Sequence, residues 1–172
     1  VTASKAAIRL GVTKMSANRC FDEIEYLNVD ILGMKGKSRV ITVPADIQKL
    51  WNDVRVILRN PVIARYELKE DIQLGKKAGI TALCEYSLLS DNEYPTYAIT
   101  KKEITESGIR KMKQVHSGEE IGCVVLELGY SIDFKNKKLE DPLSVTLSLT
   151  ESEKQDERIG ISIKRMLKEY VW

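Results

Sequence analysis

The sequence holds 172 residues, of which 43% are hydrophobic and 30% are charged, with a formal net charge of +2. That length allows one ordinary domain or two small ones, and that composition can bury a core, so we expect a globular protein. No apolar run approaches the roughly 18 residues of a membrane span. No signal peptide is visible either, so the sequence argues against a membrane or secreted protein.

Three cysteines, Cys20, Cys84 and Cys123, are widely separated, and each lies inside an apolar pattern. Their odd number and their spacing favour buried free thiols over disulfides, which indicates a reducing cytoplasm. The single histidine, His116, has no cysteine at ligand spacing and is expected to be an exposed loop residue. We therefore expect no metal and no cofactor.

The positive charge is concentrated at the front of the chain. Residues 1–43 hold seven Lys or Arg residues against four Asp or Glu residues, whereas residues 60–172 hold seventeen against nineteen. Because cations attract phosphate, this asymmetry has the sign expected if the first part of the chain contacts nucleic acid.

The chain begins with two predicted helices joined by a short turn. Thr2 is a candidate N-cap for the first helix, and Gly11 stands where a helix end favours a left-handed residue. Thr13 is a candidate N-cap for the second helix. The inward face of that second helix is predicted from helical spacing to carry Ala17, Cys20 or Phe21, Ile24 and Leu27. The connection is about as short as a helix-turn-helix requires.

The next segment, DILGMKGKSRVITV (30–43), predicts a strand, a tight turn and a second strand. Gly36 supplies the backbone freedom that a hairpin tip needs. Three cations lie within five residues of one another at this tip, Lys35, Lys37 and Arg39. They form a compact feature suited to binding phosphate.

The stretch TASKAAIRLGVTKMSANRCFDEIEYLNVDILGMKGKSRVITV, with its order of helix, turn, helix and basic hairpin, resembles the winged helix-turn-helix of MarR-like bacterial transcription regulators. The resemblance implies that the second helix enters the major groove of DNA and that the hairpin, or wing, contacts the flanking backbone or minor groove. It implies a sequence-specific regulator, a repressor, whose partner is double-stranded DNA. By analogy with two-fold operators, a homodimer is the expected oligomer.

The resemblance also implies which side chains contact DNA. Thr13 would meet a phosphate at the start of the second helix. The outward side of the first turns of that helix would meet base edges or phosphates through Lys14, Ser16, Asn18 and Arg19. Lys37 and Arg39 would lie on the wing. The predicted DNA-binding set is completed by Thr2, Lys35 and Ser38.

The chain departs from the family in one respect, because the usual leading helix is missing and residue 1 is not Met. We therefore expect the sequence to be a piece of a longer protein. A purely structural helical hairpin is the alternative, since a Lys/Arg pair on a helix is often only a solvated face. Asp22, Glu23 and Glu25 also lie on the second helix and would repel DNA if they faced it, although they lie one to two turns beyond its predicted reading end.

An amphipathic helix is predicted to follow the wing. PADIQKLWNDVRVIL (44–58) begins with Pro44 and carries apolar residues at helical spacing, so we assign residues 44–59 to a linker helix. Such a helix can contribute to a dimer contact, but a core helix within one chain explains the pattern equally well. Arg59, Asn60 and Pro61 break the pattern and mark the predicted domain boundary.

Residues 60–172 are predicted to form a mixed α/β domain, which makes the whole chain α+β. Two strands are predicted, at 62–70 and 95–100, with a central strand or hairpin at 121–134. A helix at 76–90 is predicted to face inward through Ile80, Leu83, Cys84 and Leu88, and a further helix is predicted at 155–172. A short helix is predicted to run from the Thr100–Glu103 capping box to Gly108. Residues 141–149 are ambiguous, because Asp141 and Pro142 are typical of a helix start whereas Val145 and Thr146 favour a strand.

The second domain has its own resemblance. GITALCEYSLLSDNEYPTYAIT, and DPLSVTLSL followed by DERIGISIKRML, resemble segments of abortive-infection antitoxin repressors of the AbiE type. This resemblance implies repression of a toxin operon and a nucleotidyltransferase-like toxin as partner. An antitoxin-like protein-interaction module is therefore the alternative function.

One stretch of the second domain suggests catalysis. Glu127 with Asp133 and Lys135 matches the way that restriction-type nucleases hold Mg²⁺ and activate water. The spacing of these acids is very short, and Asp-x-Lys is frequent by chance in so charged a chain. A solvated turn is the simpler interpretation, so a winged-helix nuclease is the third hypothesis and we expect the protein not to be an enzyme.

Overall fold

The structure is a computed structural model that describes residues 1–90, 92–130 and 137–172. The chain is α+β and divides into two units, Val1–Leu58 and Arg59–Trp172, each with buried clusters of its own. In the described part of the chain, no helix is both long enough and apolar enough to cross a membrane.

The first unit begins with helix α1, Ala3–Leu10, and helix α2, Lys14–Tyr26. The hydroxyl of Thr2 accepts a hydrogen bond from the backbone N–H of Lys5 at 3.4 Å, so the predicted N-cap of α1 is confirmed. Gly11 ends α1 with a φ of +64°, the left-handed conformation that glycine adopts without steric cost. The turn between the helices is only three residues long, from Gly11 to Thr13.

The contact between α1 and α2 is built from small side chains. Ala3 and Ala7 of α1 and Ala17 of α2 are buried, and Phe21 is the one large side chain in this cluster. Of the predicted alternatives Cys20 and Phe21, Phe21 is buried and Cys20 is exposed, and Leu27, which was predicted to face inward, is exposed as well. Each residue turns a helix by about 100°, so an inward face that runs through Ala17 and Phe21 leaves those two positions on its flank.

A two-stranded hairpin follows, with β1 at Leu32–Lys35 and β2 at Ser38–Ile41. Gly36 has a φ of +62° at the first turn position, which confirms the predicted role of this glycine. The start of the chain pairs with the other edge of β2, because the N–H of Ile41 donates to the carbonyl of Val1 at 2.8 Å. The hairpin is therefore tied to the residues that immediately precede α1.

Helix α3 spans Ile47–Val54, within the predicted 44–59. Asp46 is its N-cap and accepts a hydrogen bond from the backbone N–H of Lys49 at 2.8 Å. Trp51 is buried, and α3 belongs to the same unit as the helix pair and the hairpin.

The second unit contains one four-stranded sheet. Its strands are β3 Val62–Leu68, β4 Lys76–Lys77, β5 Thr96–Thr100 and β6 Cys123–Leu128, in the spatial order β3-β6-β5-β4. Strand β6 pairs antiparallel with β3 and parallel with β5. Every residue of β6 is buried, so the predicted central strand is confirmed for these residues.

The described part of the second unit also contains five α-helices: α4 Gly79–Tyr86, α5 Lys101–Ser107, α6 Pro142–Ser148, α7 Glu151–Gln155 and α8 Glu157–Tyr170. The capping box that opens α5 and the left-handed Gly108 that ends it are confirmed. Residues 142–148 prove to be helical, because Asp141 accepts hydrogen bonds from two backbone N–H groups in the first turn of α6.

The predicted helix at 76–90 was too long at both ends. Lys76 and Lys77 pair with β5 as strand β4, and α4 starts only at Gly79. Leu88, which was predicted to face inward, lies beyond the end of α4 and is 82% exposed. Strand pairing overrides the helical pattern at the start of this segment.

Two clusters account for most of the core of the second unit. One lies between the sheet and α5 and includes Ile99, Ile104 and Val125. The other joins the helices α4, α6 and α8 through Leu83, Val145 and Met166. The prediction of three buried thiols is confirmed for Cys123 and wrong for Cys20, which is exposed, while Cys84 is half-buried.

Candidate nucleic-acid interface

Helix α2 is fixed at both of its ends. The hydroxyl of Thr13 accepts a hydrogen bond from the backbone N–H of Ser16 at 3.1 Å, as predicted. At the other end Asn28 has a φ of +54°, and the N–H of Val29 donates to the carbonyl of Ile24 at 3.2 Å. This is a Schellman motif, which satisfies the last carbonyls of the helix. The side chains of α2 are thus presented on a helix with defined limits.

The outward face of α2 carries a cation next to an exposed apolar side chain. Arg19 is exposed, and Met15, four residues earlier on the same face, is 67% exposed. Asn18 is half-buried beside them. Sequence reasoning missed Met15, although the spacing of four residues from Arg19 is the signal that identifies it. An exposed thioether on this face is suited to contact a thymine methyl group.

The first turn of α2 is basic and has no acidic residue to balance the helix dipole. Lys14 occupies the first helical position, where a positive charge adds to the partial positive charge of the exposed N–H groups. Helices α5, α7 and α8 of the second unit show the usual arrangement, with glutamate in the first turn. The start of α2 is therefore an electropositive end that an anion would stabilise.

The polar side chains beside Lys14 have local partners. The hydroxyls of Thr13 and Ser16 lie 2.9 Å apart and share a hydrogen bond. The hydroxyl of Thr2 caps α1 through Lys5 and lies beside the hairpin, since Thr2 forms a β-bridge with Val40. Each hydroxyl retains a free lone pair or proton for a further contact.

The hairpin tip presents two lysines. Lys35 and Ser38 are the last paired residues before the turn, and Lys37 lies within it. All three are exposed. Across residues 1–90, 92–130 and 137–172, neither lysine forms an ion pair or a side-chain hydrogen bond, and the same is true of Lys14 and Arg19. Four cations of the predicted set are thus without a counterion in the described structure.

Arg39 has a different environment from the other predicted cations. Its guanidinium lies 2.6 Å from a carboxylate oxygen of Asp22 and 3.1 Å from one of Glu25, both on α2. It also lies 5.9 Å from the ring centroid of Phe21. The hydrogen bond to Asp22 is the main reason that the pKa of Arg39 is raised. Arg39 therefore joins β2 to α2 instead of extending into solvent.

This ion-pair cluster changes the significance of the acidic residues on α2. From the sequence, Asp22 and Glu25 were expected to repel DNA if they faced it. Both carboxylates pair with Arg39, whose single positive charge offsets part of theirs. Glu23 is exposed and lies four residues after Arg19, on the same outward face of α2, so the expected repulsion applies to this residue.

The catalytic alternative involves Glu127 on the central strand β6. Its carboxylate accepts a hydrogen bond from the hydroxyl of Tyr66 at 2.7 Å and two from the guanidinium of Arg110 at 3.1 Å. The bond from Tyr66 is the largest of the effects that lower the pKa of Glu127. Asp133 and Lys135 lie outside the described residues. Both oxygens of Glu127 are occupied by side chains of its own unit, an arrangement typical of a structural carboxylate.

Other candidate metal ligands are scattered over the described residues. Among these residues no group of three or more His, Cys, Asp or Glu side chains could hold a metal ion. His116 is exposed, as the sequence predicted, and its backbone N–H donates to Glu119.

Comparison of the chain with models of known protein families, with curated proteins and with solved structures found no match. The candidate site is therefore defined by its own geometry: a capped helix with an exposed basic start, and a hairpin with a basic tip.

Proposed function

We propose that this protein is a sequence-specific DNA-binding transcriptional regulator, a repressor, with a winged helix in its first unit. The observation that carries the proposal is the distribution of charge over α2 and the hairpin. Four cations, Lys14, Arg19, Lys35 and Lys37, are exposed without partners in the described part of the chain, while Arg39 forms ion pairs with two carboxylates of α2. A surface arranged in this way favours phosphate over other ligands.

In this proposal the first two turns of α2 enter the major groove, which is wide enough to admit an α-helix. Arg19 would donate a pair of hydrogen bonds to guanine, and Asn18 would pair with adenine. Met15 would contact a thymine methyl group. Lys14, at the electropositive start of α2, would bind a phosphate that also compensates the helix dipole.

The hairpin serves as the wing in this proposal. Lys35 and Lys37 would contact phosphates beside the groove, with little dependence on base sequence. Two attachments support this role, the ion pairs of Arg39 with α2 and the backbone pairing of Ile41 with Val1. They fix the position of the hairpin relative to α2, so that the tip and the helix can contact the same DNA duplex at the same time.

The regulator would bind DNA without altering it chemically, and would act in the cytoplasm as a homodimer on a two-fold operator. The affinity would depend strongly on salt, because each phosphate neutralised by a lysine contributes a slope of about −0.9 to the logarithm of the binding constant against the logarithm of salt concentration.

The experiment that tests this function is a selection from randomised DNA duplexes, followed by fluorescence anisotropy. We expect the selected pool to converge on one motif. The protein should bind this motif at least roughly 1,000-fold more tightly than a scrambled duplex at physiological salt. A pool that stays random after repeated rounds, with equal weak binding to both duplexes, would contradict sequence-specific regulation.

A further inference from the structure

A groove lies on the first unit at the end of α2 opposite to its basic start. One wall is the segment that follows α2, from Leu27 to Asp30, and the other wall is α3 with the residues on either side of it. The groove encloses about 480 Å³. This volume falls within the range of ligand-binding clefts in proteins.

Both walls of the groove carry apolar side chains that are partly open to solvent. Leu27 is 48% exposed and Ile57 is 46% exposed, and both line the groove together with Leu50. Contiguous exposed apolar side chains with a polar rim are characteristic of protein interaction sites.

The rim of the groove is acidic. Asp30 lies on the first wall, and Asp46 and Asp53 lie on the wall formed by α3, against the single cation Lys49. Asp46 is already engaged as the N-cap of α3. Asp30 and Asp53 are both exposed, and within the described ranges neither forms an ion pair. Each wall thus carries an unpaired negative charge beside its apolar side chains.

We propose that this groove binds a basic amphipathic helix of a partner protein. The apolar stripe of such a helix would lie on Leu27, Leu50 and Ile57, and its flanking lysine or arginine side chains would reach Asp30 on one side and Asp53 on the other. A small cation would pair with the carboxylates but would leave the apolar side chains of both walls uncovered. The charge complementarity and the two-walled shape therefore specify a helix with cations on both flanks.

The groove is separate from the proposed DNA surface. Lys14 and Leu27 are thirteen positions apart along α2, which corresponds to roughly 20 Å at the rise of an α-helix. A helix bound in the groove would leave the basic start of α2 free. The partner and DNA could therefore bind the first unit at the same time.

The test uses a labelled synthetic peptide of about eighteen residues, made of Lys and Leu in an amphipathic helical pattern, and fluorescence anisotropy without DNA. Two comparison peptides replace every Lys by Glu, or every Leu by Ser. We expect the Lys/Leu peptide to bind and both comparison peptides to bind at least roughly tenfold more weakly. Because no DNA is present, the result is independent of the proposed function.

Variants of the full chain localise the binding. Asp30→Asn with Asp53→Asn should weaken binding of the Lys/Leu peptide by about tenfold. The matched control, Glu120→Gln with Glu169→Gln, removes two exposed charges of the second unit and should change binding less than about twofold. Equal loss in both double variants would show attraction to net charge alone and would overturn the proposal. Displacement of the peptide by an equal concentration of spermidine would overturn it as well.

Discussion

At the residue scale, the cations that we predicted to contact DNA fall into two groups. Arg39 is held in ion pairs with two carboxylates of α2, whereas Lys14, Arg19, Lys35 and Lys37 have no such partner in the residues that the structure describes. The two groups should respond differently to substitution. Under the proposed function, the exposed cations contact DNA themselves. Arg39 affects DNA binding indirectly, because it reduces the negative charge at Asp22 and Glu25.

We expect Lys37→Ala and Arg19→Ala to impair DNA binding in different ways. Lys37→Ala should weaken binding to all duplexes alike and reduce the salt slope by about 1, because it removes a phosphate contact. Arg19→Ala should cost about 1–3 kcal/mol on the selected motif and much less on scrambled DNA, because it removes a base contact. Anisotropy titrations at several salt concentrations measure both effects. Identical losses on the two duplexes for both variants would refute this division of roles.

Arg39→Gln should weaken DNA binding because it leaves the charges of Asp22 and Glu25 uncompensated near the DNA. The comparison is with Arg39→Gln in a background of Asp22→Asn and Glu25→Gln, where no acids remain to be offset. There the same substitution should have a much smaller effect on the dissociation constant. An equal effect in both backgrounds would mean that Arg39 contacts DNA itself.

At the scale of secondary-structure elements, two glycines have opposite surroundings. Gly122 immediately precedes β6, and a Cβ atom at this position would overlap the carbonyl oxygen of Lys69. Gly160 lies within α8, where an added Cβ would meet no atom within 4 Å. The backbone at Gly122 approaches the segment after β3 too closely for any side chain, whereas Gly160 only reduces helix stability.

Gly122→Ala should therefore destabilise the second unit by about 1–3 kcal/mol, the cost of overpacking against backbone that cannot move. Gly160→Ala should stabilise the same unit by about 0.5–1 kcal/mol, because alanine favours the helix. Denaturant unfolding followed by circular dichroism gives both free energies. Equal midpoints for Gly122→Ala and the parent chain would contradict the close approach.

The elements that could be predicted from the sequence are those whose cause is local. Thr13 and Thr100 were identified as caps and Gly36 as a turn residue, because each depends on side chains within a few positions. The partner of Arg39 could not be predicted, since Asp22 and Glu25 are fourteen or more residues away and meet it only when the hairpin packs on α2. The groove could not be predicted either, because its walls come from two separate segments and the hydrophobic periodicity within each segment does not show that they meet.

At the scale of the whole molecule, the second unit contains a buried acid that links its stability to pH. Glu140 is 3% exposed, and neither of its carboxylate oxygens has a hydrogen-bond partner among the described residues. Burial, aided by the nearby charge of Asp141, raises the pKa of Glu140 to about 8, although the charge of Lys76 opposes the shift. Glu140 is therefore mostly protonated at neutral pH in the folded protein.

A raised pKa means that the folded protein holds this proton more tightly than the unfolded chain does. The free energy of unfolding should therefore fall as the pH rises from the ordinary value of 4.5 to about 8. Each pKa unit corresponds to about 1.4 kcal/mol. Glu140→Gln cannot ionise, so this variant should lose most of that dependence and be more stable than the parent chain above about pH 8.

Fluorescence can follow this change in the second unit alone. The chain has two tryptophans, Trp51 in the first unit and Trp172 in the second. In a Trp51→Phe background, Trp172 reports denaturant unfolding between about pH 5 and pH 9, with and without Glu140→Gln. Parallel pH curves for the two chains would show that Glu140 is ionised in the folded protein throughout this range.

The small core between α1 and α2 has a consequence for how this protein can diverge over evolutionary time. The packing depends on the methyl groups of Ala3, Ala7 and Ala17, which tolerate little enlargement. Met15 and Arg19 lie on the opposite, exposed side of α2, where substitutions leave that packing untouched. Under the proposed function, descendants of this chain can therefore acquire new target sequences by mutation at those outer positions and still fold.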